Sequence, residues 1–214
     1  MAETWYSILM SLSGTLVLGG IVLTWLIRRK IEALSGCREP SSLLLITGGL
    51  LTSLGFAWGV LSGHEMNGWM LSLILTGPAM IGYALFWMGF KGVSGRLLIQ
   101  STIILLSLLL AGHYASVQTD IAYVGPFLAV LLLMNSQITI TRGRNRGLLI
   151  ASSWIITAFS WARYLLDDTT GLLKFAIVLP YFLAVVSWVY VLVSLYTSIS
   201  PGRIPLPGNA QEGL

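Results

Sequence analysis

Long apolar stretches separated by short polar gaps make up most of this chain, and within them apolar positions do not alternate with polar ones. Ile103 to Leu110 and Val124 to Met134 are continuously apolar or nearly so, which excludes the alternating ten-residue segments of an outer-membrane barrel. A helix needs about 20 residues to cross roughly 30 Å of hydrocarbon. Stretches at 5–27, 42–62, 69–90, 97–114, 121–141, 148–166 and 172–198 reach or approach that length. The pattern predicts an all-α integral membrane protein with seven transmembrane helices in one domain over residues 1–199, followed by a short cytoplasmic tail at 200–214.

Composition sharpens this expectation by exclusion. Hydrophobic residues are 56% of the chain and charged residues 9%, with a mean hydropathy of +0.84, whereas a soluble domain carries about 25% charged residues. A soluble enzyme is therefore excluded. The basic balance, pI 9.4, does not point to nucleic acid, because the basic residues fall in gaps between apolar stretches rather than along one face.

Charge instead sets orientation. Glu3 precedes the first stretch and Arg28, Arg29 and Lys30 follow it, the reverse of a signal peptide. With the N-terminus outside, the inner gaps carry Arg28, Arg29, Lys30, Arg38, Lys91, Arg96, Arg142, Arg144 and Arg146, and the tail carries Arg203, while the outer side holds Arg163 and Lys174. That asymmetry follows the positive-inside rule and predicts an N-out, C-in, multi-pass protein of a cytoplasmic (inner) membrane. Cys37 falls in the first inner gap, and as the one cysteine it has no intramolecular disulfide partner.

Small residues recur every fourth position at Ser11, Thr15 and Gly19, and again at Gly55, Gly59 and Gly63. In lipid such spacing lets helix backbones approach closely, so both helices are expected to pack on neighbours along these stripes. Pro78, Pro126 and Pro180 lie inside the third, fifth and seventh helices and free backbone carbonyls there.

Polar residues at membrane depth are the usual carriers of function. The acidic residues Glu65, Asp120, Asp167 and Asp168 all fall at the outer edge, so the buried carboxylate relay of a proton pump is missing. Arg163 stands one turn inside the sixth helix, with Asp167 four residues later on the same face. Arg163, Asp167, Asp168 and Lys174 form the densest ionisable set, a candidate ligand site open to the outside, with a local ion pair as the structural alternative. Asn135 and Gln137, with Ser152, Ser153 and Thr157, form a candidate polar patch explained by interhelical hydrogen bonds. His64 and His113 at outer helix ends are the metal candidates, although two histidines without a third ligand make a poor metal site. Ser62-Gly63-His64 matches part of a membrane phosphatase motif, but the rest of that motif is missing; a retinal protein is excluded because Lys174 sits at the outer end of its helix rather than mid-way. No phosphate loop, zinc motif or nucleophile–base pair occurs, and no cofactor is predicted.

The run Gly82-Tyr83-Ala84-Leu85-Phe86-Trp87-Met88-Gly89-Phe90-Lys91, followed by Ser94-Gly95-Arg96, resembles the end of the third helix in the multi-helix membrane sensor regions of bacterial diguanylate cyclases and related receptors. The basic end of the first helix, the Leu54-Gly55 pair and the Arg163 ending of the sixth helix follow a similar order over about 160 residues. The resemblance implies a sensory module. Since Pro201 to Leu214 leave no room for an output domain, it also implies output on another chain. The expected function is a non-catalytic sensory or ligand-binding module in the lipid bilayer that acts through a membrane-protein partner. An accessory subunit of a larger membrane complex is the alternative, and a small-molecule transporter a more distant one.

Overall fold

The computed structural model describes residues 2–35, 41–61, 68–87, 95–113, 118–162 and 171–199, and all regular structure among them is helical. Seven helices follow in order: α1 (Ala2–Ser35), α2 (Ser41–Leu61), α3 (Gly68–Trp87), α4 (Gly95–His113), α5 (Gln118–Ile140), α6 (Gly143–Ala162) and α7 (Gly171–Ser198). Each contains one of the apolar stretches, or most of it. The helices overrun the apolar stretches where charge follows. α1 continues eight residues past Ile27, through Arg28, Arg29 and Lys30, and α6 begins five residues ahead of Leu148, at Gly143 among three arginines. Arginine and lysine are good helix formers, so hydropathy marks where a helix is apolar and not where it ends. Among the described residues two helical stretches, Ile8–Ser35 and Leu172–Ser198, are long and apolar enough to cross a membrane.

Helix α5 sits in the middle, packed against α1, α2, α3, α4 and α6. Around it α3 packs on α2, α2 on α1, α1 on α7, α7 on α6, and α6 on α4. From Phe127 to Ile138 every α5 residue is buried or half-buried, and Leu131, Leu133 and Met134 have no exposure at all. The outer helices behave differently. Leu12, Leu18 and Val22 of α1, Leu50 and Trp58 of α2, Phe86 of α3, Leu98 and Leu105 of α4, Trp154 of α6, and Leu183 and Tyr190 of α7 all point outward and are exposed.

Close approaches are made by glycines, though not along both stripes that spacing suggests. A Cβ on Gly77 of α3 would lie 2.7 Å from the Thr52 amide nitrogen and 2.8 Å from the Gly48 carbonyl oxygen of α2, so only glycine allows these two backbones to meet. Gly20 of α1 lies flat against the Trp188 ring of α7, where a Cβ would come within 2.5 Å of Cζ3, and Gly49 of α2 faces Ile21 of α1 at the same distance. Ser11, Thr15 and Gly19, in contrast, are exposed, and no atom lies within 4 Å of a Cβ built on Gly19. The packed face of α1 is one step round the helix, at Leu9, Ser13, Val17, Gly20, Ile21 and Thr24. On α2, Gly55 is buried; the surroundings of Gly59 and Gly63 lie outside the described residues.

These contacts order two substitutions. Gly77→Ala should cost roughly 1–3 kcal/mol through overpacking against the α2 backbone. Gly19→Ala should be neutral or stabilise by up to about 1 kcal/mol, because alanine is the better helix former where space is free. Unfolding midpoints in one detergent check both, and an equal effect at the two sites would show that α2 and α3 do not meet at Gly77.

Candidate functional site

From Phe127 to Ile138 no α5 residue is exposed, so each buried amide there needs a partner inside the bundle. Asn135 Nδ2 donates to the Leu131 carbonyl at 3.0 Å and to Gln100 Oε1 of α4 at 3.3 Å. Gln100, itself without exposure, passes the chain on: its Nε2 donates to Ser153 Oγ of α6 at 3.0 Å, and that hydroxyl donates to the Ile150 carbonyl at 2.8 Å. Asn135 thereby ties α5 to α4 and α6.

Gln137, two residues on, is turned by about 200° around the same helix and serves the opposite side. Its Oε1 accepts from Trp188 Nε1 of α7 at 2.7 Å, and its Nε2 donates to Thr24 Oγ1 of α1 at 3.2 Å. The Thr24 hydroxyl donates to the Gly20 carbonyl at 2.8 Å. Gly20, which leaves room for the indole, also supplies the last acceptor of the chain it permits. One acceptor is unanswered. Asn135 Oδ1 is buried with no hydrogen-bond partner among the described residues, and turning the amide over would set that oxygen against two other oxygens, of Leu131 and Gln100.

The smaller hydroxyls need no second helix. Ser13, Thr52, Ser53 and Thr157 donate to carbonyls four residues back at 2.8–2.9 Å, and Ser160 donates to the Thr157 carbonyl at 2.6 Å. This back-bonding satisfies the donor within its own helix. The expected polar patch of Asn135 and Gln137 with Ser152, Ser153 and Thr157 is thus two separate chains, of which Ser153 joins one through Gln100 while Thr157 bonds within α6.

Toward the N-terminal half of α1 lies a cleft of about 40 Å³ lined by Met10, Gly14, Val17, Leu18, Ile21, Thr52, Ser53, Pro126 and Tyr181. Of its lining, Leu18 is exposed while Val17, Ile21, Thr52 and Tyr181 are buried. Its floor is braced by aromatic contacts. Tyr181 of α7 stacks on Phe159 of α6 with centroids 4.2 Å apart, and Phe127 of α5 meets both edge-on at 6.0 and 6.1 Å.

At the opposite end, where α1, α5 and α7 finish and α6 starts, basic residues gather in two kinds of setting. Those of α1 are engaged: Arg28 pairs with buried Glu32 at 3.3 Å, Arg29 lies over Trp25 at 5.3 Å, and Lys30 lies over Tyr196 at 4.4 Å while donating to the Tyr196 carbonyl at 2.8 Å. Arg142, Arg144 and Arg146 are exposed, with no ion pair among the described residues.

Of the ionisable set anticipated as a ligand site, Lys174 is half-buried in α7, and Arg163, Asp167 and Asp168 lie outside the described residues. His64 also lies outside them, as does the side chain of His113 at the end of α4. No three His, Cys, Asp or Glu side chains come together among the described residues. Sequence reasoning reached Asn135, Gln137 and Ser153 but not Gln100, Thr24 or Trp188. A lone glutamine inside an apolar stretch is a usable signal for Gln100, whereas nothing in the spacing pairs residues 24 and 188. No family model, curated protein or solved structure matches the chain.

The Gln137–Trp188 bond can be isolated. Gln137→Leu strands the buried Trp188 N–H and should cost about 1–3 kcal/mol. Trp188→Phe removes the orphan donor, so the double variant should fall short of the sum of the singles by about 1 kcal/mol in a double-mutant cycle. Strict additivity of the unfolding free energies would show that the two side chains do not interact.

Proposed function

We propose that this chain is a multi-pass protein of a cytoplasmic membrane, N-terminus outside and C-terminus inside, that works as a non-catalytic ligand-binding or sensory module through a partner chain. The membrane part of this reading is supported by the outward faces of the outer helices. A soluble bundle turns polar residues outward, while helices apolar on every side belong in hydrocarbon. Among the described side chains, large apolar ones are exposed on six of the seven helices, all but the central α5. The described cations other than Lys174 gather at one end of the bundle, as the positive-inside rule asks.

The sensory part rests on one observation: the same two helices that floor the cleft also carry the amide network. Pro126 and Phe127 lie about two to three turns before Asn135 and Gln137 on α5, and Tyr181 lies about two turns before Trp188 on α7. An apolar group entering the cleft would press on Tyr181 and α5, and α5 leads directly to the arginine-bearing turn at its end. Occupancy would then bias how α5 and α7 sit against each other, which is the differential contact that a ligand needs to shift a conformational equilibrium. The partner would read that shift at the basic end.

Topology is checked by labelling. Cysteines placed at Met66 and Ser116 should react with an impermeant thiol reagent in intact cells, and native Cys37 should react only after permeabilisation. Labelling of Cys37 in intact cells would reverse the orientation.

The cleft is checked by filling it. No atom of the described residues lies within 4 Å of a Cβ on Gly14, so Gly14→Phe should occupy the cleft with the unfolding midpoint held within a few degrees. Native mass spectrometry in mild detergent identifies the partner chain, and cross-linking yield to it should change several-fold in this variant. An unchanged yield with a stable complex would make the chain an accessory subunit instead.

A further inference from the structure

We propose that the turn between α5 and α6 is a binding surface for the phosphate of anionic lipid headgroups, with Arg142, Arg144 and Arg146 as its ligands. This rests on the multi-pass reading above.

The turn is short and fixed. Two residues, Thr141 and Arg142, separate the helices. The Thr141 amide and hydroxyl both donate to the Gln137 carbonyl, at 3.1 and 2.9 Å, and Thr141 itself is buried. Gly143 turns the chain at φ 57°, a backbone conformation that other residues rarely adopt. On the far side Asn145 Nδ2 donates to Ser194 Oγ of α7 at 3.2 Å. The three guanidiniums therefore project from a turn anchored to the best-buried helix and to its neighbour.

Their charge is unbalanced within the described residues. The α1 cations at this end have a carboxylate, a carbonyl or an aromatic face, and Glu32 is held by Arg28. No acidic residue lies in the first turn of α6, where Arg144 and Arg146, with Arg142 just ahead of them, are unfavourable against the helix dipole. Guanidinium is planar, weakly hydrated and matched to phosphate through paired N–H donors. At the end of a membrane bundle, the anion at hand in quantity is the lipid phosphate. Attraction to an anionic surface is about fivefold per arginine, so three of them suffice for preference among lipids.

The test uses the full chain, first washed in membranes with carbonate and then extracted in neutral detergent. Native mass spectrometry follows adducts of phosphatidylglycerol and phosphatidylcholine. Wild type should retain phosphatidylglycerol at a concentration at least tenfold below that needed for phosphatidylcholine. Arg142→Gln/Arg144→Gln/Arg146→Gln should lose that preference, and the corresponding triple lysine substitution, which keeps the charge and guards against a glutamine variant that fails to fold, should keep most of it. Equal retention of both lipids by wild type, or an unchanged preference in a folded glutamine variant, overturns the proposal. Displacement of the lipid by millimolar inorganic phosphate would assign the surface to free phosphate, and loss of an acidic protein partner, rather than lipid, from the glutamine variant would assign it to that partner; either result overturns the lipid assignment. Release of the chain by carbonate would refute the multi-pass reading itself, a failure distinct from all of these.

Discussion

Enclosure of α5 is the constraint from which the rest of the interior follows. A polar side chain on an outer helix has its own backbone, the surroundings or a rotamer change available to it, but Asn135 and Gln137 have five packed helices around them. Leaving either amide unpaired in an apolar interior costs several kcal/mol. Each neighbour must therefore present a complementary group at one height, which fixes the vertical register of α1, α4, α6 and α7 against α5. Thr24, Gln100, Ser153 and Trp188 supply those groups. Generic apolar packing would tolerate a slip of one turn between two helices; this set of hydrogen bonds does not.

Close packing works to the same end by a different force. In the membrane setting proposed above no hydrophobic drive would bring helices together, so van der Waals contact and interhelical hydrogen bonds would carry the association. The α2–α3 pair relies on contact, with Gly48 and Gly77 letting two backbones meet. The α1–α7 pair combines both, since Gly20 makes the space into which the Trp188 indole fits and the indole then reaches Gln137. A larger residue at position 20 would lose the packing and the hydrogen bond together.

How far the sequence discloses this depends on the range of each interaction. Helices are local, and hydropathy over twenty residues finds every one among the described residues, missing polar and charged ends such as those through which α1, α5 and α6 extend. The face of a helix is not local. Ser11, Thr15 and Gly19 have the spacing of a packing stripe, yet α1 is rotated so that Ser13, Val17 and Gly20 face inward, because what selects the face is the Trp188 ring and the Gln137 amide far along the chain. Small residues at that spacing also serve where a helix needs nothing from its neighbour, as when the Thr15 hydroxyl bonds back to the Ser11 carbonyl at 3.0 Å. Asn135 and Gln137 are visible as polar residues in an apolar stretch, but the two-residue interval that sends them to opposite sides matters only once α5 is known to be central. The anticipated ligand cluster at Arg163, Asp167, Asp168 and Lys174 falls largely outside the described residues, so the site argued here rests on other side chains.

Asn135 Oδ1 bears on whether this interior is static. It is the one amide oxygen of the network without a donor, and it lies between the cleft and the arginine turn along α5. Were the bundle built only for rigidity, a leucine there would fill similar space without leaving an acceptor unmet, and the Gln137 branch alone would still set the register. An unmet acceptor in a low-dielectric interior favours any arrangement that brings it a donor. In the Gln137 branch, by contrast, the amide oxygen is met by the Trp188 indole and the amide nitrogen reaches Thr24. The two branches thus differ in completeness: one holds α5 to α1 and α7 with its amide oxygen met, and the other holds α5 to α4 and α6 with Asn135 Oδ1 left as the unmet acceptor.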